Sequence, residues 1–206
     1  MTKAYNWKTL HIRHRGRIPH WETDGAIYAV TFRLFDSLPQ AVLAAYREER
    51  TQILANAEAM DRELTSDERD RLERLHSERI EHYLDQGSGK CFLKQPEAAE
   101  CVKGAMEFFH GKRYRLLVWC VMPNHVHVVF RPLAEHRLSD VMHSWKSFTS
   151  KECNKILGRR GEFWMEEYYD HLVRDEGDYA NQCAYVLANP TKAGLRDWRW
   201  VRDMRG

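Results

Sequence analysis

The sequence predicts an α+β fold in which helices cover one face of an antiparallel sheet. Three observations lead there. Segments 27–35, 115–122 and 125–132 are rich in β-branched and aromatic residues, as strands are. The last two flank a short PN turn, the pattern of an antiparallel hairpin. Segment 138–157 instead repeats its apolar residues at helical spacing. The predicted order is strand, helical hairpin, helix, strand, strand, helix, helix. At 206 residues the chain suits one domain spanning 1–206, elaborated over about 40–86.

IYAVTFRLF (27–35) reads as the first strand, after a basic arm. It stops at SLPQ (37–40), where Ser37 and Gln40 stand at capping-box spacing and Pro39 suits a first helical turn. From 40 to 86 the sequence is charged and helix-favouring, broken at ELTSDER (63–69), where Thr65 and Glu68 offer a second capping box. The glycines of QGSGK (86–90) close this pair of helices. Pro96 opens a helix over 96–110, and Gly111 stops it. RLLVWCVM (115–122) and HVHVVFRP (125–132) follow as strands. Leu138, Val141, Met142, Trp145, Phe148 and Ile156 then form an apolar stripe that should cover the sheet. GRRGEFW (158–164) is a loop, and the last helix runs from an N-cap at Asp175 to Pro190.

Lys+Arg 32 against Asp+Glu 30 leaves a net charge of +2, so bulk charge says little about partners. Its distribution says more. HIRHRGRIPHW (11–21) and RDWRWVRDMRG (196–206) interleave arginine with tryptophan, a pairing of phosphate contact with a stacking face that suits nucleic acid. A solvated basic surface fits the same composition. The five cysteines are odd in number and form no C-x-x-C pair, which points to reduced thiols of a cytosol. No apolar run approaches the roughly 20 residues of a membrane span, and no signal-peptide core follows Met1. The expectation is a soluble cytoplasmic protein without a membrane partner.

Residues 121–130 read VMPNHVHVVF. On a strand, successive side chains alternate faces, so Val126, Val128 and Phe130 share the core face and His125, His127 and Val129 the other. Same-face neighbours stand about 7 Å apart at Cα, and inclined imidazoles can converge on one divalent cation. Two histidines are an incomplete ligand set, and the same pattern arises from two surface rings on a half-exposed strand. Histidine-triad nucleotide hydrolases would need His at 129, where Val129 stands. Two-histidine phosphoesterases would need a repeated histidine strand, which TFRL (31–34) does not supply.

VMPNHVHVVF resembles the His–hydrophobic–His motif of single-tyrosine transposases. VTFRLFDSLP (30–39), WKSFT (145–149), EFWMEEYYDHLVRDE (162–176) and YVLANPTKAGL (185–195) resemble the REP-associated tyrosine transposases of bacteria in particular, in the expected order over nearly the whole chain. The resemblance implies a ferredoxin-like, RRM-like palm with the histidine pair on a central strand. It implies Tyr185 as nucleophile, from the Tyr-x-x-x-Asn/Gln element, and Asn189 as a third ligand beside His125 and His127. It further implies a Mg²⁺ or Mn²⁺ cofactor, single-stranded DNA hairpins as partner, and either a monomer or a homodimer. The activity implied is cleavage and rejoining of that DNA through a 5′-phosphotyrosine.

The helical wheel bears on Tyr185 independently. Cys183, Val186 and Leu187 form the core-facing stripe, and Tyr185 falls off it, on the side of Asp178, Gln182 and Asn189. From the pattern alone, Tyr168, Tyr169 and Tyr179 compete with it. Candidate DNA contacts, chosen on charge, are Arg13, Arg15, Arg17, Lys146, Arg159, Arg160, Arg199 and Arg202. Two rival functions use the same residues: a non-catalytic hairpin-binding regulator, and a metal-dependent phosphodiesterase that uses water.

Overall fold

The computed structural model describes residues 11–15, 18–22, 25–75, 80–133 and 135–206. Its centre is a five-stranded antiparallel sheet in the order β6-β3-β5-β4-β7. The strands are β3 (Tyr28–Arg33), β4 (Tyr114–Val121), β5 (His125–Pro132), β6 (Tyr169–Leu172) and β7 (Val201–Asp203). The expected hairpin over 115–132 is the β4–β5 pair, turning at Pro123 and Asn124, with Met122 N–H donating to the His125 carbonyl at 2.8 Å. β6 and β7 were not legible as strands: both are short, and neither carries an alternating apolar run. They add to the edges of β3 and β4. The basic arm contains a separate antiparallel pair, β1 (His11–Arg15) with β2 (Ile18–Glu22).

The central strands are apolar on both faces, so the sheet is covered twice. α4 (Pro96–Phe108) and α5 (Leu138–Ile156) pack on Tyr28, Val30, Phe32, Val126, Val128 and Phe130. This is the helical layer that the stripe on 138–157 predicts, through Leu138, Val141, Met142 and Trp145; Phe148 and Ile156 turn away from the sheet and are exposed. α6 (Glu176–Lys192) adds a second layer on the opposite face, where Cys183 and Val186 meet Val118, Cys120 and Val129. A β-bulge between Leu116 and Val118 lets β4 serve both cores. It resets the alternation, so that Leu116 and Trp119 face α5 while Leu117, Val118 and Cys120 face α6.

The 40–86 elaboration comprises α1 (Gln40–Ala59), α2 (Ser66–Leu75) and the single turn α3 (His82–Asp85). Its small core joins Leu38, Leu43, Tyr46, Leu75, Ile80 and Leu84. The box at Thr65 and Glu68 forms as expected, with Thr65 N–H donating to Glu68 Oε2 at 2.9 Å and Glu68 N–H to Thr65 Oγ1 at 3.2 Å. The one at Ser37 and Gln40 does not. Pro39 is itself the N-cap, and the Ser37 hydroxyl turns back to the Leu34 carbonyl at 2.8 Å, a local bond that competes with capping. The far end of the elaboration is pinned to β3. Gly89, at φ +84, lies so close to the Asp36 carbonyl that a Cβ would stand 2.5 Å from its oxygen. Lys90 N–H donates to Asp36 Oδ2 at 3.0 Å.

α6 starts as expected, with Asp175 Oδ1 accepting from Asp178 N–H at 2.8 Å. It does not stop at Pro190. Proline removes one donor but has helical φ, and the helix continues to Lys192. It then closes in a Schellman motif: Leu195 N–H donates to the Pro190 carbonyl, Gly194 N–H to that of Thr191, and Gly194 takes φ +69. The five cysteines are free thiols. Among the described residues no helix is long and apolar enough to cross a membrane.

Candidate active site

The face of the sheet under α6 holds the histidine pair. β5 sets His125 and His127 side by side on it, and both are buried, at 0% and 2% exposure. Asn124, at the turn, donates from Nδ2 to the Ser88 carbonyl at 2.9 Å. That bond directs its Oδ1 toward the ring of His125, where Nδ1 donates at 2.7 Å and leaves the Nε2 lone pair available. His127 Nδ1 is 2.8 Å from the hydroxyl of Thr31, its register partner on β3. The two Nε2 atoms are 2.8 Å apart with the rings at 86° to each other. Each imidazole is thus held at Nδ1 by an outer partner and turned inward at Nε2, the arrangement that metal-binding histidines need.

α6 brings the remaining groups. The Tyr185 ring meets His127 edge to face at 5.4 Å. One turn on, Asn189 is 0% exposed; its amide comes within reach of His127 and Tyr185, but neither its Oδ1 nor its Nδ2 closes a hydrogen bond of good geometry among the described residues. A buried amide left in this way costs on the order of 1–3 kcal/mol. The Lys192 ammonium sits 4.4 Å from the Tyr185 ring centroid. From the elaboration, Glu81 lies within electrostatic reach of Tyr185, whose hydroxyl closes no hydrogen bond of good geometry among the described residues.

Burial, and secondly the Lys192 charge, push the His127 imidazole down to about 3, with Asn189 opposing. It is neutral near pH 7, the form that binds a metal. Burial raises the Tyr185 phenol above its ordinary range, and the Glu81 charge adds to this while Asn189 opposes it. Burial also raises the Glu81 carboxyl to about 7, against the pull of Tyr185 and Lys192 and with help from Asp85.

Among the described residues no group of three His, Cys, Asp or Glu side chains could hold a metal ion. A third donor to the histidine pair is therefore an amide or water oxygen, and Asn189 supplies an uncommitted buried amide. Two imidazole nitrogens and one amide oxygen, with positions left for water or phosphate, fit a divalent cation.

The structure thus brings together His125, His127, Tyr185 and Asn189. Of the competing tyrosines, Tyr168 is buried in the core under α5, Tyr169 opens β6 as the register partner of Thr31, two strands from His127, and Tyr179 stands by Cys183 and Arg205. The candidate DNA contacts do not form one cluster. Lys146 donates to the carbonyls of Met165, at 2.7 Å, and Glu166. Arg159 packs over Phe92, at 4.6 Å, and over Phe35 and Phe163. Both hold the loop before β6. Arg160, Arg199 and Arg202 are exposed, with Arg199 over Trp200 and Arg202 reaching Glu107. Arg13 and Arg15 lie on β1, and Arg17 falls outside the described residues. Sequence reading missed Thr31, Asn124, Glu81 and Lys192. Asn124 directly precedes the pair and Lys192 lies under two turns beyond Tyr185, so local spacing could have found these two. Glu81 is joined to the site only by tertiary structure.

Residues 90–189, which contain the histidine pair, Tyr185 and Asn189, match the family model described as "Transposase IS200 like". Two curated relatives bear out the likeness to REP-associated tyrosine transposases. The "Putative REP-associated tyrosine transposase" of Haemophilus influenzae is 28% identical over 94 residues, covering 38% of this chain and 53% of the relative. The "REP-associated tyrosine transposase" of Escherichia coli K12 is 25% identical over 91 residues, covering 44% and 50%. The chain thus spans about half the length of the curated relatives it matches. Among solved structures, a REP-associated tyrosine transposase bound to a REP hairpin aligns over 93% of this chain and 82% of its own, with 16% identity and a TM-score of 0.48. The structure of a "putative transposase" from Deinococcus radiodurans aligns over 85% of this chain and 95% of its own, with 14% identity and a TM-score of 0.38.

Proposed function

We propose that this protein is a metal-dependent enzyme that nicks and rejoins single-stranded DNA at REP-like hairpins, with Tyr185 as nucleophile. The observation that supports it most is the meeting of Tyr185, at 5.4 Å, with a histidine whose Nε2 already faces that of a second histidine, beside the uncommitted amide of Asn189.

His125 Nε2, His127 Nε2 and Asn189 Oδ1 would hold Mg²⁺ or Mn²⁺. A cation bound there polarises the scissile phosphate and offsets its developing charge. Asn124 and Thr31 keep the two imidazoles oriented. Tyr185 Oη attacks phosphorus, the bond to the 3′-oxygen breaks, and a 5′-phosphotyrosine and a free 3′-OH result. Attack by a 3′-OH on that ester reverses the step and joins strands without an external energy source.

Incubation with hairpin-bearing single-stranded DNA and Mn²⁺ tests this. A covalent protein–DNA adduct should form, and Tyr185→Phe should abolish it, by more than about 1,000-fold, while hairpin binding persists. Cleavage that survives Tyr185→Phe would identify hydrolysis by water. Binding without cleavage by the unaltered chain would identify a regulator.

A further inference from the structure

We propose that the cleft between β3 and the 40–86 elaboration, centred on Arg33, binds a DNA phosphate next to the one that is cut. This rests on the reading of the chain as one that acts on single-stranded DNA. It also gives the elaboration a task, that of closing a substrate cleft from the side.

On β3, Tyr28, Val30 and Phe32 enter the core under α4 and α5, so Thr31 and Arg33 stand on the histidine face. Register places them more closely: Thr31 pairs with His127, and Arg33 with His125. The Cβ atoms of such pairs lie about 4.5–5.5 Å apart. Arg33 is therefore a direct neighbour of the histidine pair. With Thr31 it lines a cleft that Tyr46 and Ile80 close from the elaboration, and Glu167 and Tyr169 from the segment entering β6. Thr31 is shared, since its hydroxyl also meets His127 Nδ1 at 2.8 Å. A strand laid across the histidines passes the mouth of this cleft.

The groups in the cleft fit a phosphate. Arg33 is half-buried, with Nη1 donating to Ser37 Oγ at a long 3.4 Å. Among the described residues it closes no ion pair. Burial lowers its guanidinium to about 10, so it stays charged at neutral pH. Arg50, one turn beyond Tyr46 on α1, is 7% exposed and closes no ion pair among the described residues either. Withdrawing such cations from water is costly unless an anion meets them. The ionic groups acting on these two arginines are Arg47, Glu167 and Asp170, which leaves three cations against two carboxylates. A guanidinium fork matches two phosphate oxygens, and a DNA strand supplies a phosphate at every linkage. A nucleobase carries no charge to answer the excess.

Equilibrium binding of hairpin DNA with a single-stranded flank tests the assignment, measured on the Tyr185→Phe chain without added metal so that no cleavage intervenes. Arg33→Gln should weaken binding about 10-fold and lower the slope of log affinity against log salt by about one, while unfolding cooperatively. With Arg33 intact, one neutral methylphosphonate linkage beside the cleavage site should cost a similar factor. The two changes together should cost little more than either alone. Glu167→Gln should act in the opposite sense and tighten binding several-fold through the same linkage, since it removes a like charge from the phosphate. Should Arg33→Gln fail to fold, that tightening decides. Unchanged binding in Arg33→Gln, losses that multiply at every linkage, or unchanged or weaker binding in Glu167→Gln would overturn the phosphate site. Cleavage that persists in Tyr185→Phe when Mn²⁺ is added would bring down the nucleophile and leave this site standing. A chain that binds no hairpin DNA would bring down the broader reading, and the site with it.

Discussion

The two faces of the central sheet are both buried and differently finished. Under α4 and α5, polar atoms close on one another. Trp145 Nε1 donates to the Tyr114 hydroxyl, which donates to the Met106 carbonyl, and Trp164 Nε1 donates to Thr149. Trp119 Nε1 is an exception there. Under α6, the Tyr185 hydroxyl and both amide atoms of Asn189 close on nothing among the described residues, and two imidazoles share the interior with them. A core built only for stability satisfies or removes such groups. The difference separates a face that holds the fold from one that keeps polar atoms ready for a ligand, and burial alone does not reveal it.

Substitutions on the two faces should therefore behave in opposite ways. The largest stability effect belongs to the first. Phe130, fully buried against Tyr114 and Trp145, should cost about 3–5 kcal/mol on change to alanine, measured by denaturant unfolding. A loss under 1 kcal/mol would erase the contrast. On the second face, Glu81→Gln should stabilise in a pH-dependent way. The folded carboxyl titrates near 7 against about 4.3 in the unfolded chain. Between those values the unfolded chain has released a proton that the folded one keeps, so stability falls as pH rises through that window. Glutamine removes the effect, and its gain at pH 8 over pH 4 should be about 3 kcal/mol, read as a higher Tm at the upper pH only. The smallest effect is that of Asn189→Leu. Replacing an unpaired buried amide by an apolar group of similar size should leave stability unchanged or raise it by about 1 kcal/mol. Mn²⁺ binding, followed by titration calorimetry, should weaken. A clear loss of stability would show that the amide has a partner in the folded protein.

Legibility followed distance along the chain. The box at Thr65 and Glu68 formed because both partners lie within one turn, and the carboxylate has oxygens enough to accept from Arg62 as well. The box at Ser37 and Gln40 had the same spacing, but the Leu34 carbonyl captured the hydroxyl. The side of α6 that carries Tyr185 and Asn189 follows from helical periodicity. The extension of that helix through Pro190 does not, because a proline inside a helix is tolerated or not according to what surrounds it. The short edge strands β6 and β7 escaped for a related reason, being defined by the strands they join.

By itself, the sequence determined the α+β class, the alternation that sets His125 and His127 on one face, and the helical spacing of Tyr185 and Asn189. These are properties of one strand or one helix, governed by periods of two and of 3.6 residues. Only the tertiary structure decided that α6 lies on the histidine face and not with α4 and α5. It alone turned both Nε2 atoms inward through Thr31 and Asn124, and brought Glu81 from a distant charged segment within electrostatic reach of Tyr185. Those outcomes depend on which surfaces pack together, and pairings between remote segments leave no period in the chain to read.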